Sequence, residues 1–298
     1  MTSLSEFLPS NPLFCVAVDT LIKDRQILSA RIHGEGGDME VPFPCGVART
    51  GVKRSVVMKE EEVRTLVEAI EDPAEQNDKD KKPREPPIVF RELIPEDEYS
   101  RLKSSLGSSI SGSPEDQQAL SELNEYIVKD EGAWALSDET IHYIGKLLHD
   151  KSISPKIRSN LLRLLATAAL KDDIILMLHQ DRKEHLLMNY AVDIEHLPEE
   201  EQDGLALFIC NLFESTSSSE WLLYISEWAY DRQTLSNARV TTKVAVSALL
   251  SPNEGIRDKG TAIMHNLASK EVKSAVFDDI ATELSMAILQ FLTTDPQE

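Results

Sequence analysis

From about Pro95 onward, apolar residues recur at the three-and-four spacing that places them on one face of a helix. The stripes are Leu120, Leu123 and Ile127; Ile141, Ile144 and Leu148; Ile157, Leu161, Leu164, Leu165 and Ala168; Leu205, Phe208, Ile209 and Leu212; and Ile280, Leu284, Ile288 and Phe291. Start signals recur with them. Ser113-Pro114-Glu115, Ser154-Pro155 and Ser251-Pro252 each set a hydroxyl before a proline, whose fixed φ and missing N–H suit a first helical turn. Leu197-Pro198 is followed by Glu199, Glu200 and Glu201, acids that the helix dipole favours, and Ser137 precedes Asp138 and Glu139. Further helices are predicted over Lys183 to Val192, Ser219 to Tyr230, Ala238 to Leu250 and Ser274 to Phe291.

Predicted starts near 114, 137, 154, 183, 198, 219, 236, 254 and 274 fall at intervals of roughly half an armadillo or HEAT unit. A compact bundle would share the periodicity but has no reason to space its helices evenly. The expected fold is therefore mainly α, an armadillo/HEAT-like solenoid of stacked helix pairs in a right-handed superhelix.

The N-terminal part reads differently. Phe14 to Ile22 and Gln26 to Ile32 are rich in Val, Ile and Leu and flank Lys23-Asp24-Arg25, a pattern for a short hairpin. Met39 to Phe43 follows a glycine-rich turn as a third strand, and Lys59 to Glu71 sets Val63, Leu66, Val67 and Ile70 on one helix face. Glu71 to Pro87 holds four prolines, mixed charges and no large apolar residue, so it cannot bury enough surface to offset its ordering entropy. These features predict a small α+β module over 1–70, a flexible linker over 71–87 and the helical domain over 88–298.

Charge narrows the partners. With 51 acidic and 31 basic residues the chain carries −20, which disfavours nucleic acid and anionic membranes. Met1 to Asp19 lacks the basic region and long apolar segment of a secretory signal, and Leu161 to Leu170 is too short to cross a bilayer. The expected setting is the cytoplasm or nucleus. Cys15, Cys45 and Cys210 are widely separated and lack a C-x-x-C spacing, so neither a disulfide framework nor a zinc site is expected. Cys15 or Cys45 with His33 forms the candidate nucleophile and base of the N-terminal module, but no strained nucleophile turn accompanies them. His142, His149, His179, His185 and His265 are scattered, and no phosphate-cradling glycine loop occurs. No catalytic residue, metal or cofactor is expected.

Two segments resemble each other: Leu207 to Phe213 (LFICNLF) and Thr261 to Ala268 (TAIMHNLA). Each sets an asparagine, Asn211 or Asn266, late in an apolar helix. On the inner surface of a solenoid such an amide can bond the backbone of the neighbouring repeat, or that of an extended peptide.

At these residues the chain resembles the PUL domain, the armadillo-like C-terminal domain of the phospholipase A2-activating protein family. Ser154-Pro155 to Leu165 looks like the family's second repeat, Leu205 to Phe213 like its leucines leading to Cys-Asn-x-Phe, and Asn253 to Ala268 like its Asn-rich helix. Phe90 to Leu106 is similar to its lead-in segment; Leu207 stands where relatives often carry arginine, and the match ends near Phe291, before the family's last helices. The resemblance implies a basic groove holding the acidic C-terminal tail of the AAA ATPase valosin-containing protein, and hence a non-enzymatic adaptor in ubiquitin-dependent protein handling.

On that expectation Arg163, Asn211, Arg257 and Asn266 bind the peptide, with Lys259 adding charge, and reversing both arginines abolishes binding without disturbing the helices. Two other function classes are compatible with the same sequence: an armadillo-type nucleotide exchange factor for a heat-shock ATPase, and a thiol enzyme using Cys15 or Cys45. The domain boundary has a direct check. Limited proteolysis is expected to cut first within 71–87, and early cleavage inside 154–170 would overturn the division.

Overall fold

The structure, a computed structural model, describes residues 86–110, 113–270 and 274–293. The expected α+β module over 1–70 and the linker as far as residue 85 lie outside the described residues, as do Cys15, His33 and Cys45.

The described chain is mainly α, with one two-stranded hairpin. Its helices are α1 (Pro95–Ile110), α2 (Pro114–Ile127), α3 (Asp138–His149), α4 (Pro155–Ala168), α5 (Ile174–Gln180) and α6 (Leu186–Ala191). They continue with α7 (Glu199–Asn211), α8 (Thr216–Leu222), α9 (Asn237–Leu249), α10 (Glu254–Ser269) and α11 (Ser274–Thr293). The hairpin of β1 (Trp228–Tyr230) and β2 (Gln233–Leu235) stands between α8 and α9, and 3-10 turns cover Ala133–Ala135 and Ile194–His196. Among the described residues no helix is long and apolar enough to cross a membrane.

Capping explains many of the boundaries. The Ser113 hydroxyl accepts from the Asp116 N–H with Pro114 in the first turn, as its sequence predicts. Ser154 and Ser137 occupy N-cap positions without capping through their side chains. The Ser137 hydroxyl instead donates to buried Glu122 on α2, which also accepts from Thr140 and Gln118. Burial raises the Glu122 pKa, but these bonds and the Ser137 N–H outweigh it and leave the carboxyl at about 2. It stays ionised and ties α2 to the start of α3.

Several boundaries differ from expectation. α10 begins two residues after Pro252, because Asn253 is its cap and accepts from the Ile256 N–H. α6 is shorter than Lys183 to Val192, since His185 at its start adopts φ 52° and breaks the helical path. The helix predicted over Ser219 to Tyr230 ends at Leu222, and Trp228–Tyr230 is a strand. Tyr230 pairs with Gln233 across Asp231 and Arg232, which both have positive φ (42° and 65°), the geometry of a type I′ turn. Asp-Arg lacks the glycine by which that turn is usually read. The strand is held by its tertiary neighbours: the Trp228 ring stacks on His185 at 4.0 Å, and its indole N–H donates to Asn189 Oδ1 at 2.8 Å. The short helix α5 was not predicted either.

The packing recurs every three helices, not every two. α1, α4, α7 and α10 form one row in which each packs on the next. A second row runs through α3, α6 and α9, and α5 packs on α8 in a third. The stripes read from sequence point into this interior, where every named member through Ile288 is buried and Phe291 is half-buried. Where α10 meets α9, a Cβ on Gly260 would lie 2.3 Å from the Leu249 N, so only glycine admits their close approach.

Leu164 and Ile209 are 0% and 1% exposed, on the facing helices α4 and α7. Replacing either by alanine is expected to cost about 2–5 kcal/mol through lost contacts and an unfilled cavity, measurable by chemical denaturation.

Candidate functional site

Before α1 the chain is extended. Residues 86–94 have no regular secondary structure, and Ile88, Phe90 and Leu93 pack against the core. Pro86 and Pro87 bias this start towards extended backbone. The strap passes α10 first and α7 second, and the chain then enters α1, which packs on α4. It therefore runs opposite to the order of the helices in the row.

Asn211 and Asn266, at or near the C-terminal ends of α7 and α10, hold the strap through its backbone. Asn266 Oδ1 accepts from the Ile88 N–H at 2.7 Å, and its Nδ2 donates to the Ile88 carbonyl at 2.8 Å. Asn211 repeats this at Phe90, with distances of 2.8 and 2.9 Å. Each amide thus satisfies both polar groups of one residue, and the two residues are the alternate positions of an extended chain. Asn211 Nδ2 also donates to the Ala166 carbonyl of α4 at 2.9 Å. The two roles read from the sequence, bonding to a neighbouring helix and to an extended segment, coexist in one side chain, and the segment belongs to the same chain.

Side chains complete the strap's seat. Lys259 Nζ lies 5.6 Å from the centre of the Phe90 ring, and Arg91 donates to Glu214 at 2.6 Å. The Cys210 thiol donates to the Ile88 carbonyl at 3.3 Å and is fully buried; desolvation pushes its pKa up, with Lys259 opposing, so it is a poor nucleophile.

The cations expected to form a free basic surface are engaged within the chain. Arg163 donates from two nitrogens to Glu98 of α1, both at 3.0 Å, and Glu98 is 2% exposed. Hydrogen bonding to that carboxylate holds the Arg163 guanidinium above its ordinary pKa. Arg257 donates to the carbonyls of Ser251 and Pro252, closing the loop before α10, and Lys259 pairs with Asp203 at 2.7 Å. Arg158 likewise pairs with buried Glu201, which also accepts from the Tyr190 hydroxyl. The expectation that Arg163 and Arg257 can be reversed without disturbing the helices does not suit these positions.

The structure brings Asn211 and Asn266 together on one strap; Arg163 is one helix further along the row, and Arg257 lies at the opposite end of α10 from Asn266. The sequence reading missed Ile88, Phe90 and Glu98. The two prolines followed by Ile-Val-Phe are the signal for an extended segment, but nothing local indicates its docking site. Among the described residues no cluster of His, Cys, Asp and Glu could hold a metal ion. Compared with family models, curated proteins and solved structures, the chain gives no match.

Arg163→Ala is expected to lower stability by about 2–3 kcal/mol, less than for an isolated buried pair because Arg101 still reaches Glu98 at 3.1 Å. Chemical denaturation checks this. Stability equal to wild type would identify Arg163 as a surface charge.

Proposed function

We propose that this chain is a non-enzymatic protein-binding adaptor whose helical domain is an armadillo-like α-solenoid with a groove for extended peptides. The three-helix recurrence supports the solenoid: α1, α4, α7 and α10 pack on one another in one row, and α3, α6 and α9 in a second. The observation that carries the function is the pair of buried asparagines, each matched to the N–H and C=O of one residue of an extended chain. Such amides read backbone, much as a sheet edge does when a peptide adds to it.

The resemblance to the PUL domain supplies the partner: an acidic C-terminal tail of the AAA ATPase valosin-containing protein, in ubiquitin-dependent protein handling in the cytoplasm or nucleus. Because Arg163, Arg257 and Lys259 already have partners, the amides and the apolar seat of Phe90 carry this recognition in preference to free charge. Screening then assists an acidic peptide in approaching an acidic protein.

Calorimetry with an acidic peptide ending in an aromatic residue is the test. Wild type is expected to bind with an affinity that salt leaves unchanged or raises, and Asn266→Ala to weaken binding about tenfold while keeping the helical circular dichroism. Binding indifferent to Asn266→Ala, or none at millimolar peptide, overturns this reading.

A further inference from the structure

We propose that residues 88–91 are an exchangeable resident ligand of the asparagine site, competing with an extended segment of another protein bearing the pattern apolar, any residue, aromatic. The inference rests on the peptide-groove reading and adds what the groove selects and what holds it closed.

The pattern follows from the strap's seat. Ile88 and Phe90 present backbone to Asn266 and Asn211 and side chains to the core, so these two positions favour apolar residues. Phe90 lies near Lys259, whose ammonium favours an aromatic ring, while the exposed Arg91–Glu214 pair adds a contact of the strap's own and no demand on a competitor. The amides themselves are indifferent to side chains. Any extended segment of that pattern finds the same donors and acceptors.

Asn211 is 0% exposed and Asn266 is 3% exposed. These values hold with the strap in place; when it leaves, water replaces the two bonds each amide makes to it, so an occupied site is favoured by only the modest net worth of those bonds. The strap itself is lightly held. Ile88 and Phe90 are only half-buried, and the Arg91 side chain is 60% exposed. It is flanked by exposed Pro86 and Pro87 on one side and by Ile94, 55% exposed, on the other. The Glu98–Arg163 pair that fixes α1 lies beyond this stretch, so the strap can leave while α1 stays docked.

Tethering gives the strap an effective concentration on the order of millimolar, so an outside segment binds weakly until the strap is weakened or out-competed. The apparent dissociation constant rises as the open fraction falls. The contact is therefore autoinhibitory.

The test uses a fluorescent peptide copying residues 86–92 (PPIVFRE) against the full chain and its Ile88→Ala/Phe90→Ala variant, which retains both asparagines. The variant is expected to bind at least about tenfold more tightly than wild type, and adding Asn266→Ala to remove the gain. Equal affinities that Asn266→Ala still abolishes overturn the exchange but leave the groove reading intact. Absence of binding to both proteins, or binding indifferent to Asn266→Ala, overturns both. Hydrogen exchange on wild type keeps the proposal testable if the variant does not fold. The Ile88 and Phe90 amides are expected to exchange at least about tenfold faster than those of Leu164 and Ile209. Equal rates would show that the strap leaves only on global unfolding, and would overturn the proposal.

Discussion

A buried side-chain amide cannot be left unpaired, and the satisfaction of Asn211 is the constraint on which the arrangement of this domain turns. With the strap docked its carboxamide has no solvent, and its two N–H groups and its oxygen find their partners within the chain. It finds them on Ala166 of α4 and on Phe90 of the strap, joining α7 to the preceding helix of its row and to a segment 121 residues earlier in the chain. An apolar residue there could pack but would leave the Phe90 backbone and the Ala166 carbonyl without these bonds. Asn266 repeats the device one helix further on, so the strap is held at two points in a fixed register.

Charge obeys the same rule. Glu98 and Glu201 are almost wholly buried, and each meets an arginine of α4: Glu98 meets Arg163, and Glu201 meets Arg158. α4 thus carries the cations that let acids of both α1 and α7 enter the interior. Such pairs contribute little net stability over an apolar replacement, but leaving one partner alone is costly, so they enforce which helices can be neighbours. In a chain of net charge −20, consuming these arginines internally leaves hydrogen-bonding geometry as the basis for the peptide recognition we propose.

The sequence by itself determined the helical class, the apolar faces and several of the helix starts, because these depend on residues within a turn or two of one another. Leu161, Leu164 and Leu165 share a face in any helix that contains them, and Ser113 caps its helix from three residues away. It also marked Asn211 and Asn266 as exceptional, since a late asparagine in an apolar helix is unfavourable unless something remote satisfies it.

What remained undetermined was the identity of that remote partner. Trp228–Tyr230 carries no local mark separating strand from helix; its stacking on His185 and its bond to Asn189 decide the matter. Only the family resemblance marks Arg163 as a groove cation, and it is the docking of α1 that brings Glu98 against it. The strap's bonds join residues 121 and 178 positions apart. No local pattern encodes such a pairing: it exists only once the helices have stacked and set two buried amides beside one extended backbone.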